Sequence, residues 1–282
     1  CNLLLLYYTK LMKEIDFVYF GTPEFSVIVL EELKAAGFLP SLIVTAPDKP
    51  VGRKYILTPP PVKVWADEHH IECWQPNHPR DIVEDLEKRN DLLYIVASYG
   101  YIMSQRILDI PKHGVLNVHT SLLPKYRGAA PIESALLNND AVTGSTIMQM
   151  TLKMDEGPIL TQSIIEIEPD ATKPDLFTIL AHDGGKLLAS ILPGYIAGAV
   201  TPIPQNHEEA TYTTKIAKSD GDITSDDDQT RWNKYRAYYG WPGVFFFENG
   251  KRIKVTKARF EDGRFIIERV IPEGKSEMEY RK

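Results

Sequence analysis

The fold of this chain follows from the segment Ile15-Asp16-Phe17-Val18-Tyr19-Phe20-Gly21-Thr22-Pro23-Glu24-Phe25-Ser26 near its amino terminus. The apolar run that ends at Phe20 predicts a buried strand, and the Gly-Thr-Pro sequence after it predicts a turn. Ser26 is of the residue type that caps a helix, so we expect a helix from there towards Gly37. The chain therefore opens with a strand, a turn and a helix.

The same alternation continues through the first two hundred residues. Further strands are predicted at residues 41–46, 91–98, 114–119, 146–150 and 159–167, with helices at 81–89 and 174–198. Strands that alternate with helices form a mostly parallel sheet with right-handed crossovers and helices on both faces. The fold class is therefore α/β, with a Rossmann-like sheet domain.

A second, smaller domain is predicted at the carboxyl end. A helix-like stretch at residues 229–239 precedes alternating runs at 244–247, 251–256 and 264–270, and Asn249-Gly250 and Asp262-Gly263 separate these runs. Such dipeptides are strong signals for β-hairpins. We expect a catalytic domain at residues 12–200, a Pro-containing linker at 201–211 and a small antiparallel β domain at 212–282.

Composition limits the class of protein. The chain has 282 residues, of which 43% are hydrophobic and 25% charged, as in ordinary globular proteins. Its two cysteines, Cys1 and Cys73, fit neither a disulfide framework nor a metal-binding spacing, so a cytoplasmic location and no metal site are expected. The apolar run at residues 2–8 is too short to span a membrane. Residues 1–11 precede Met12 and are set aside as an upstream extension.

Charge is unevenly distributed along the chain. The formal net charge is −6, yet residues 229–282 contain 13 Lys and Arg against 7 Asp and Glu. The last 54 residues thus carry +6, which leaves −12 on residues 1–228. A cationic surface of this kind can contact phosphates, although it is also typical of the solvated face of a small sheet.

The densest group of polar residues lies at the end of the strand predicted at 114–119. Asn117 and His119 are two residues apart, so their side chains point to the same side of the sheet. An amide and an imidazole at that position could donate hydrogen bonds to an oxyanion. Asp155, in a predicted turn, could orient His119 and favour its charged form. By spacing alone, a polar pair at a strand end and an ordinary turn-forming aspartate are the more common interpretations.

A longer pattern surrounds these residues. Asn117-x-His119-x-Ser121-Leu122-Leu123-Pro124-x-Tyr126-Arg127-Gly128, followed by Met154-Asp155-x-Gly157, resembles the signature of the 10-formyltetrahydrofolate-dependent formyltransferases. The resemblance implies that Asn117 holds the oxyanion of a tetrahedral intermediate, that protonated His119 stabilises it, and that Asp155 keeps His119 charged and relays a proton. It implies 10-formyltetrahydrofolate as the formyl donor and requires no metal.

The resemblance also implies where the folate lies. Its contacts would come from two segments that can offer backbone groups and apolar walls to a pterin ring. The residues concerned are Tyr101, Ile102, Met103, Ser121, Leu122, Leu123 and Pro124. Judged without the resemblance, Ile102 and Met103 are equally typical of plain core packing.

Two other segments are similar to the branch of the family whose acceptor is methionyl-initiator tRNA. They are Phe20-Gly21-Thr22-Pro23-Glu24-Phe25 and Pro47-Asp48-Lys49-Pro50-Val51-Gly52-Arg53. In that branch the second segment enters the acceptor stem, and the carboxyl-terminal domain is an oligonucleotide-binding barrel. The tRNA contacts implied are Lys49, Arg53, Lys54, Lys251, Arg252 and Lys254. Residues 229–282 are few for a five-stranded barrel, so an abbreviated OB-like domain is expected.

Two alternatives stay open at this stage. The same chemistry could act on a small amine, such as a sugar nucleotide or glycinamide ribonucleotide, because the catalytic signature is shared within the family. The first strand and turn could instead belong to a non-catalytic nucleotide-binding module, but Gly21 alone does not make the Gly-x-Gly-x-x-Gly fingerprint. We expect the protein to be a monomer that contacts tRNA and folate and does not associate with a membrane.

Overall fold

The computed structural model describes residues 15–52 and 54–281. Arg53, one of the expected tRNA contacts, lies outside the described residues, as do residues 1–14. The helices are α1 (Glu24–Ala35), α2 (Pro61–Glu68), α3 (Val83–Glu87), α4 (Gln105–Leu108), α5 (Pro131–Leu137), α6 (Lys173–Ile196) and α7 (Asp228–Ala237).

The strands include one for each of the nine predicted strand runs. In chain order they are β1 (Phe17–Gly21), β2 (Leu42–Val44), β3 (Lys49–Val51), β4 (Ile56–Thr58), β5 (Cys73–Trp74), β6 (Leu93–Ala97), β7 (Val115–His119), β8 (Arg127–Gly128), β9 (Val142–Thr143), β10 (Thr146–Gln149), β11 (Ile159–Gln162), β12 (Ile165–Glu166), β13 (Tyr212–Thr213), β14 (Phe245–Glu248), β15 (Lys251–Glu261), β16 (Arg264–Pro272) and β17 (Met278–Glu279).

A seven-stranded sheet in the order β11-β10-β7-β6-β1-β2-β5 forms the centre of the fold. The pairs from β7 through β6, β1 and β2 to β5 are parallel, whereas β10 runs antiparallel to both β7 and β11. Strands β1 and β6 are buried along their whole length, since the central strands of such a sheet are covered on both faces. The predicted α/β class with a mostly parallel sheet is confirmed.

The start of α1 differs from the sequence-based expectation. The helix begins at Glu24 after Pro23, so Ser26 lies within its first turn and the prediction that Ser26 caps it was wrong. The Ser26 side chain is fully buried, and its Oγ accepts from the Thr22 backbone N–H at 3.1 Å and donates to the Ala97 carbonyl at 2.5 Å. The hydroxyl thus joins the turn after β1 to the end of β6.

Two compact units make up the chain. The first contains residues 15–127, 144–164 and 178–210, and the second contains 128–143, 165–177 and 211–282. The second unit thus takes two segments from within the stretch expected to be the catalytic domain. Domain bounds at 12–200, 201–211 and 212–282 stay a prediction.

The second unit is built on a four-stranded antiparallel sheet in the order β14-β15-β16-β17. Its first two turns contain Asn249-Gly250 and Asp262-Gly263, and all four residues have φ between 51° and 75°. Positive φ at both central residues is what a tight two-residue hairpin requires. The small antiparallel β domain is confirmed. Helices α5 and α7 pack together in this unit, where the Asn233 amide donates to the Leu137 carbonyl at 3.1 Å.

The segment around residues 47–61 is more regular than its sequence suggested. Strands β3 and β4 pair antiparallel and are exposed along their whole length. Pro50 within β3 and Gly52 after it conceal the strand pattern, because both residue types are depleted in strands. In the part of the chain that the structure describes, no helix is long and apolar enough to cross a membrane.

Candidate active site

Strand β7 directs Asn117 and His119 to one face of the central sheet. Val118, between them, faces the other way towards α6, where a Cβ on Gly184 would lie 2.5 Å from Cγ1 of Val118. The absence of a side chain at position 184 therefore lets the helix approach the strand closely. Because side chains alternate along a strand, Asn117 and His119 lie on the face opposite α6.

Two groups hold the imidazole of His119, which is 5% exposed. Nε2 lies 3.0 Å from the Tyr126 carbonyl, and Nδ1 lies 3.8 Å from Oδ2 of Asp155. A carbonyl oxygen can only accept, so Nε2 carries a hydrogen in this arrangement. A neutral ring would then turn its Nδ1 lone pair towards the carboxylate, whereas a charged ring presents an N–H.

Backbone conformation at both partners of His119 is unusual. Tyr126 and Asp155 have φ of 60° and 53°, in the left-handed region that residues other than glycine seldom adopt. Ser98, which follows β6, has φ of 53° as well. Such conformations cost about 1–3 kcal/mol each and persist where the surrounding structure fixes them. The carbonyl and the carboxylate beside His119 are therefore placed by strained backbone.

Asn117 is half-buried beside the same strand end. Among residues 15–52 and 54–281, no hydrogen-bond partner of its amide is found, so both amide hydrogens are available to a ligand. An amide and an imidazolium on one face are suited to stabilise negative charge that develops on an oxygen atom. This strand end therefore carries an amide and an imidazole, with a carboxylate 3.8 Å from the imidazole.

The segment that follows β7 is fixed largely by contacts to its backbone. Oγ of Ser121 donates to the Lys125 carbonyl at 2.6 Å, so this side chain closes the turn in which it lies. Oγ1 of Thr146 donates to the Ser121 carbonyl at 2.6 Å and accepts from the Leu123 N–H at 3.3 Å. The Leu123–Pro124 peptide bond is cis. The hydrogen bonds of Ser121 and Thr146 make residues 121–124 a rigid wall beside the site.

Comparison with known families assigns most of the chain. Residues 13–192 match the family described as Formyl transferase, and residues 215–274 match Formyl transferase, C-terminal domain. The chain belongs to the formyltransferase family. The resemblance seen in the sequence is confirmed.

Curated relatives of this formyltransferase include the methionyl-tRNA formyltransferase of Halalkalibacterium halodurans. It is 42% identical over 242 residues, which cover 84% of this chain and 76% of that protein. The methionyl-tRNA formyltransferase of Caldicellulosiruptor saccharolyticus is also 42% identical, over 245 residues that cover 85% of this chain and 78% of that protein.

Solved structures agree on the fold. An N-formyltransferase from Helicobacter canadensis, in complex with folinic acid and dTDP-3-aminofucose, has a TM-score of 0.69 and 19% identity and covers 88% of each chain. A methionyl-tRNA formyltransferase from Clostridium thermocellum has a TM-score of 0.60 and 14% identity and covers 92% of this chain and 98% of that one. At these identities the likeness shows the fold alone.

The residues expected to contact folate differ in exposure. Met103 is buried in the core, whereas Ile102 is 73% exposed. Both line a cavity of about 220 Å³, together with His78, Arg80, Ser104, Ile107 and Leu152. Tyr101 packs against Tyr99, with ring centroids 5.1 Å apart. Burial raises the pKa of the Tyr99 phenol, which therefore stays neutral.

The residues expected to contact tRNA lie on exposed strands. Lys49 and Lys54 are exposed at the β3–β4 hairpin, and Lys251, Arg252 and Lys254 are exposed on β15. None of the five makes an ion pair with a residue that the structure describes. Arg252 instead lies over the Phe245 ring, 3.8 Å from its centroid. These cations are free to contact phosphate.

Two residues next to this site had no role assigned to them from the sequence. Gln205 lies in the stretch predicted to be a linker, yet it is 6% exposed, and Arg127 is fully buried. The Arg127 guanidinium donates to the Gln205 amide oxygen, and the Gln205 amide N–H groups donate to the turn that carries Asp155. Arg127 belongs to the quoted motif, which is a signal that it matters, whereas no local pattern distinguishes Gln205.

Proposed function

We propose that this chain transfers the formyl group of 10-formyltetrahydrofolate to the amino group of methionyl-initiator tRNA. The observation that carries the proposal is the identity of about 42% to methionyl-tRNA formyltransferases over most of the chain. The oxyanion site at Asn117 and His119 supports the same reaction class. A formyl-folate donor is further supported by folinic acid in the related Helicobacter canadensis structure.

The reaction begins when the amine nitrogen attacks the formyl carbon. A C–N bond forms, and the carbonyl electrons move to oxygen, which becomes an oxyanion. The Asn117 amide donates to this oxyanion, and so does Nδ1–H of protonated His119, because Nε2–H is already bound to the Tyr126 carbonyl. The carboxylate of Asp155 lies 3.8 Å from Nδ1 of His119 and offsets positive charge on the ring.

The second half of the reaction breaks the bond between the formyl carbon and N10 of the folate. The oxyanion re-forms the carbonyl, and the amine loses a proton, which N10 gains as it departs. Asp155 relays this proton directly or through a water molecule. Every step is carried by side chains of the first unit, and none is routed through a metal.

The folate lies against the rigid wall at residues 121–124 and the segment 101–103. Leu122 and Pro124, which are half-buried, supply apolar surface, and Ile102 is exposed at the edge of a cavity of about 220 Å³. The ring of Tyr101 offers a further planar surface. Ser121 contributes through its backbone, because its hydroxyl is already bound to Lys125.

The tRNA is held by phosphate contacts from each of two exposed basic segments. Lys49, Arg53 and Lys54 belong to the segment at residues 49–58, and Lys251, Arg252 and Lys254 belong to β15. Unpaired cations release counterions when they bind nucleic acid, which makes affinity depend on salt. The protein acts as a cytoplasmic monomer, with a catalytic domain at 12–200, a linker at 201–211 and a tRNA-contacting domain at 212–282.

A competition between acceptors tests the proposal. Purified protein and formyl-labelled 10-formyltetrahydrofolate are mixed with methionyl-initiator tRNA, with an amino-sugar nucleotide or with glycinamide ribonucleotide, and kcat/KM is measured for each. We expect transfer to the tRNA to exceed transfer to either small amine by at least about 10³-fold, since only the tRNA has enough phosphates to engage both basic segments. Preference for a small amine would contradict the proposal.

A further inference from the structure

The side-chain amide of Gln205 forms four hydrogen bonds. Its Oε1 accepts from Nε and Nη2 of Arg127 at 3.0 and 2.7 Å. Its Nε2 donates to the carbonyls of Asp155 and Gly157 at 2.8 and 2.7 Å. A guanidinium can only donate and a carbonyl can only accept, so the orientation of this amide is determined. Gln205 therefore joins a buried cation to the turn that carries Asp155.

The position of Gln205 is set by the strand beside it. Ile203 exchanges two backbone hydrogen bonds with Ile159 of β11, each 2.8 Å long. Gln205 follows two residues later, and its side chain is 6% exposed. The backbone that carries Gln205 is thus attached to the central sheet two residues earlier.

The side chain of Arg127 is also held in place by its contacts. It is fully buried, and a buried guanidinium is retained only when its hydrogens are well paired. Besides Gln205, Nη2 contacts Nδ1 of His207 at 3.1 Å, and Nη1 lies 3.6 Å from Oε1 of Glu156. The guanidinium therefore also offsets the charge of the carboxylate adjacent to Asp155.

The turn itself has little freedom. A Cβ on Gly157 would lie 1.8 Å from the Gln149 carbonyl oxygen of β10, so this end of the turn is pressed against the sheet. Asp155, at the other end, has φ of 53°. A non-glycine residue held at positive φ needs support from its surroundings, and the two donors of Gln205 supply it on either side of Glu156.

We propose that Arg127 and Gln205 are positioning residues for the formyl transfer. Arg127 fixes the Gln205 amide, and the amide holds the 155–157 turn so that the Asp155 carboxylate stays beside His119. This inference rests on the catalytic role proposed for Asp155. Neither Arg127 nor Gln205 contacts the reacting atoms, and both act through the position of that carboxylate.

Gln205→Glu separates this role from a merely structural one. A glutamate keeps the size of the side chain and keeps an acceptor for Arg127, now as an ion pair. It loses both donors to the turn and places a carboxylate oxygen against two carbonyl oxygens. We expect kcat to fall by about 10-fold to 10²-fold with little change in either KM, because a misplacement of about 1 Å is costly only in the transition state.

Gln149→Glu is the matched control, because it makes the same chemical change in the neighbouring strand. The Gln149 amide donates to the Tyr195 hydroxyl at 2.7 Å rather than to the turn. We expect kcat of this variant to stay within about twofold of the parent value. Thermal unfolding of both variants is recorded, and if Gln205→Glu is unfolded, Gln205→Asn keeps the amide chemistry but shortens its reach.

A double-mutant cycle tests whether Gln205 acts through Asp155. If Gln205 acts through Asp155, then Gln205→Glu has little further effect on kcat in an Asp155→Asn background. If the losses in kcat multiply in the double variant, the two residues act independently and the positioning proposal is overturned. Full activity of folded Gln205→Glu and Gln205→Asn would overturn it as well. Full activity of Asp155→Asn alone would instead remove the proposed role of Asp155, so the two failures are distinguishable.

Discussion

Nδ1 of His119 lies 3.8 Å from Oδ2 of Asp155, while Nε2 of the same ring donates to the Tyr126 carbonyl at 3.0 Å. Groups on two separate segments thus face the two nitrogen atoms of the ring, and one of them forms a hydrogen bond. Both of these segments carry a residue at positive φ, so neither can shift without a change in strained backbone. The protein fixes the direction of His119 before any ligand binds.

His119→Ala is expected to lower kcat for formyl transfer by about 10²-fold or more, the size seen when one stabilising group of an oxyanion site is removed. The substitution also opens space beside the Tyr126 carbonyl, so circular dichroism and thermal unfolding must accompany the kinetics. His182→Ala is the control, because His182 is exposed and pairs with Glu32 at 2.6 Å. Equal kcat values for the two variants would remove His119 from the mechanism.

Asn117→Asp tests whether this residue donates to a negative oxygen. The carboxylate has the shape of the amide but no N–H, and its charge repels an oxyanion. We expect a loss in kcat at least as large as that of Asn117→Ala, about 10²-fold to 10³-fold. A milder effect for Asn117→Asp than for Asn117→Ala, measured in single-turnover assays, would indicate that Asn117 serves only to fill space.

Gly157→Ala is expected to destabilise the fold and to displace Asp155. The new Cβ would lie 1.8 Å from the backbone oxygen of Gln149, which cannot move without distorting β10. Forced repacking of this kind costs about 1–3 kcal/mol. Gly194→Ala in α6 is the control, because its Cβ meets Val200 at an ordinary 3.5 Å and alanine favours a helix. Urea unfolding should rank Gly157→Ala well below Gly194→Ala in stability.

Much of the fold could be predicted because its decisive signals are local. The fully apolar run of β1 and the Asn249-Gly250 and Asp262-Gly263 dipeptides act through backbone preferences that do not depend on the rest of the chain. Short elements were missed where a local signal was absent or misleading. Pro50 concealed β3, and α5 has only seven residues and no side-chain cap.

The candidate site was predictable only in part. The two-residue spacing of Asn117 and His119 places their side chains on one face of any strand, and the longer motif indicated the reaction class. Gln205 was not predictable, because its hydrogen bonds to Arg127 join residues 78 positions apart. No periodicity or turn preference reports a contact of that kind, and a Pro-containing stretch is ordinarily read as a linker.

The reactivity of Cys73 gives a pH-dependent test of burial near the edge strand β5. Desolvation raises the pKa of the Cys73 thiol to about 11, and the nearby Lys63 offsets this only in part. At pH 8 about one thiol in a thousand is ionised, against roughly a quarter for an ordinary cysteine. In a Cys1→Ser variant, we expect iodoacetamide to react at least about 10²-fold more slowly than with the urea-unfolded chain.

The rate of that reaction should keep rising about tenfold per pH unit to beyond pH 10, because the thiolate is the nucleophile. Mass spectrometry of quenched samples gives the rate at each pH. A plateau below pH 9.5 would show that the Cys73 thiol is solvated, contrary to its packing here.

The last prediction concerns the cations of β15, which differ in their ion pairing. Lys257 and Arg259 both pair with Glu268, at 2.9 and 2.7 Å, whereas Arg252 and Lys254 make no ion pair with a described residue. A cation already held by a carboxylate gains less when it meets a phosphate. Arg252 and Lys254 should therefore contribute more to tRNA binding than Lys257 and Arg259 do.

Point substitutions test the contribution of these cations better than removal of residues 229–282. The truncation would also delete α7 and thereby expose the face of α5 that packs against it. The variants Arg252→Ala with Lys254→Ala and Lys257→Ala with Arg259→Ala change the net charge equally. For the first we expect the slope of log Kd against log salt concentration to become shallower by roughly 1.8, about 0.9 for each phosphate that the protein no longer neutralises. For the second we expect less than half of that change. Filter binding of methionyl-tRNA between 50 and 300 mM salt, about the range in which such contacts are screened, gives both slopes. If the two variants weaken binding equally, long-range charge rather than direct contact governs the role of this strand.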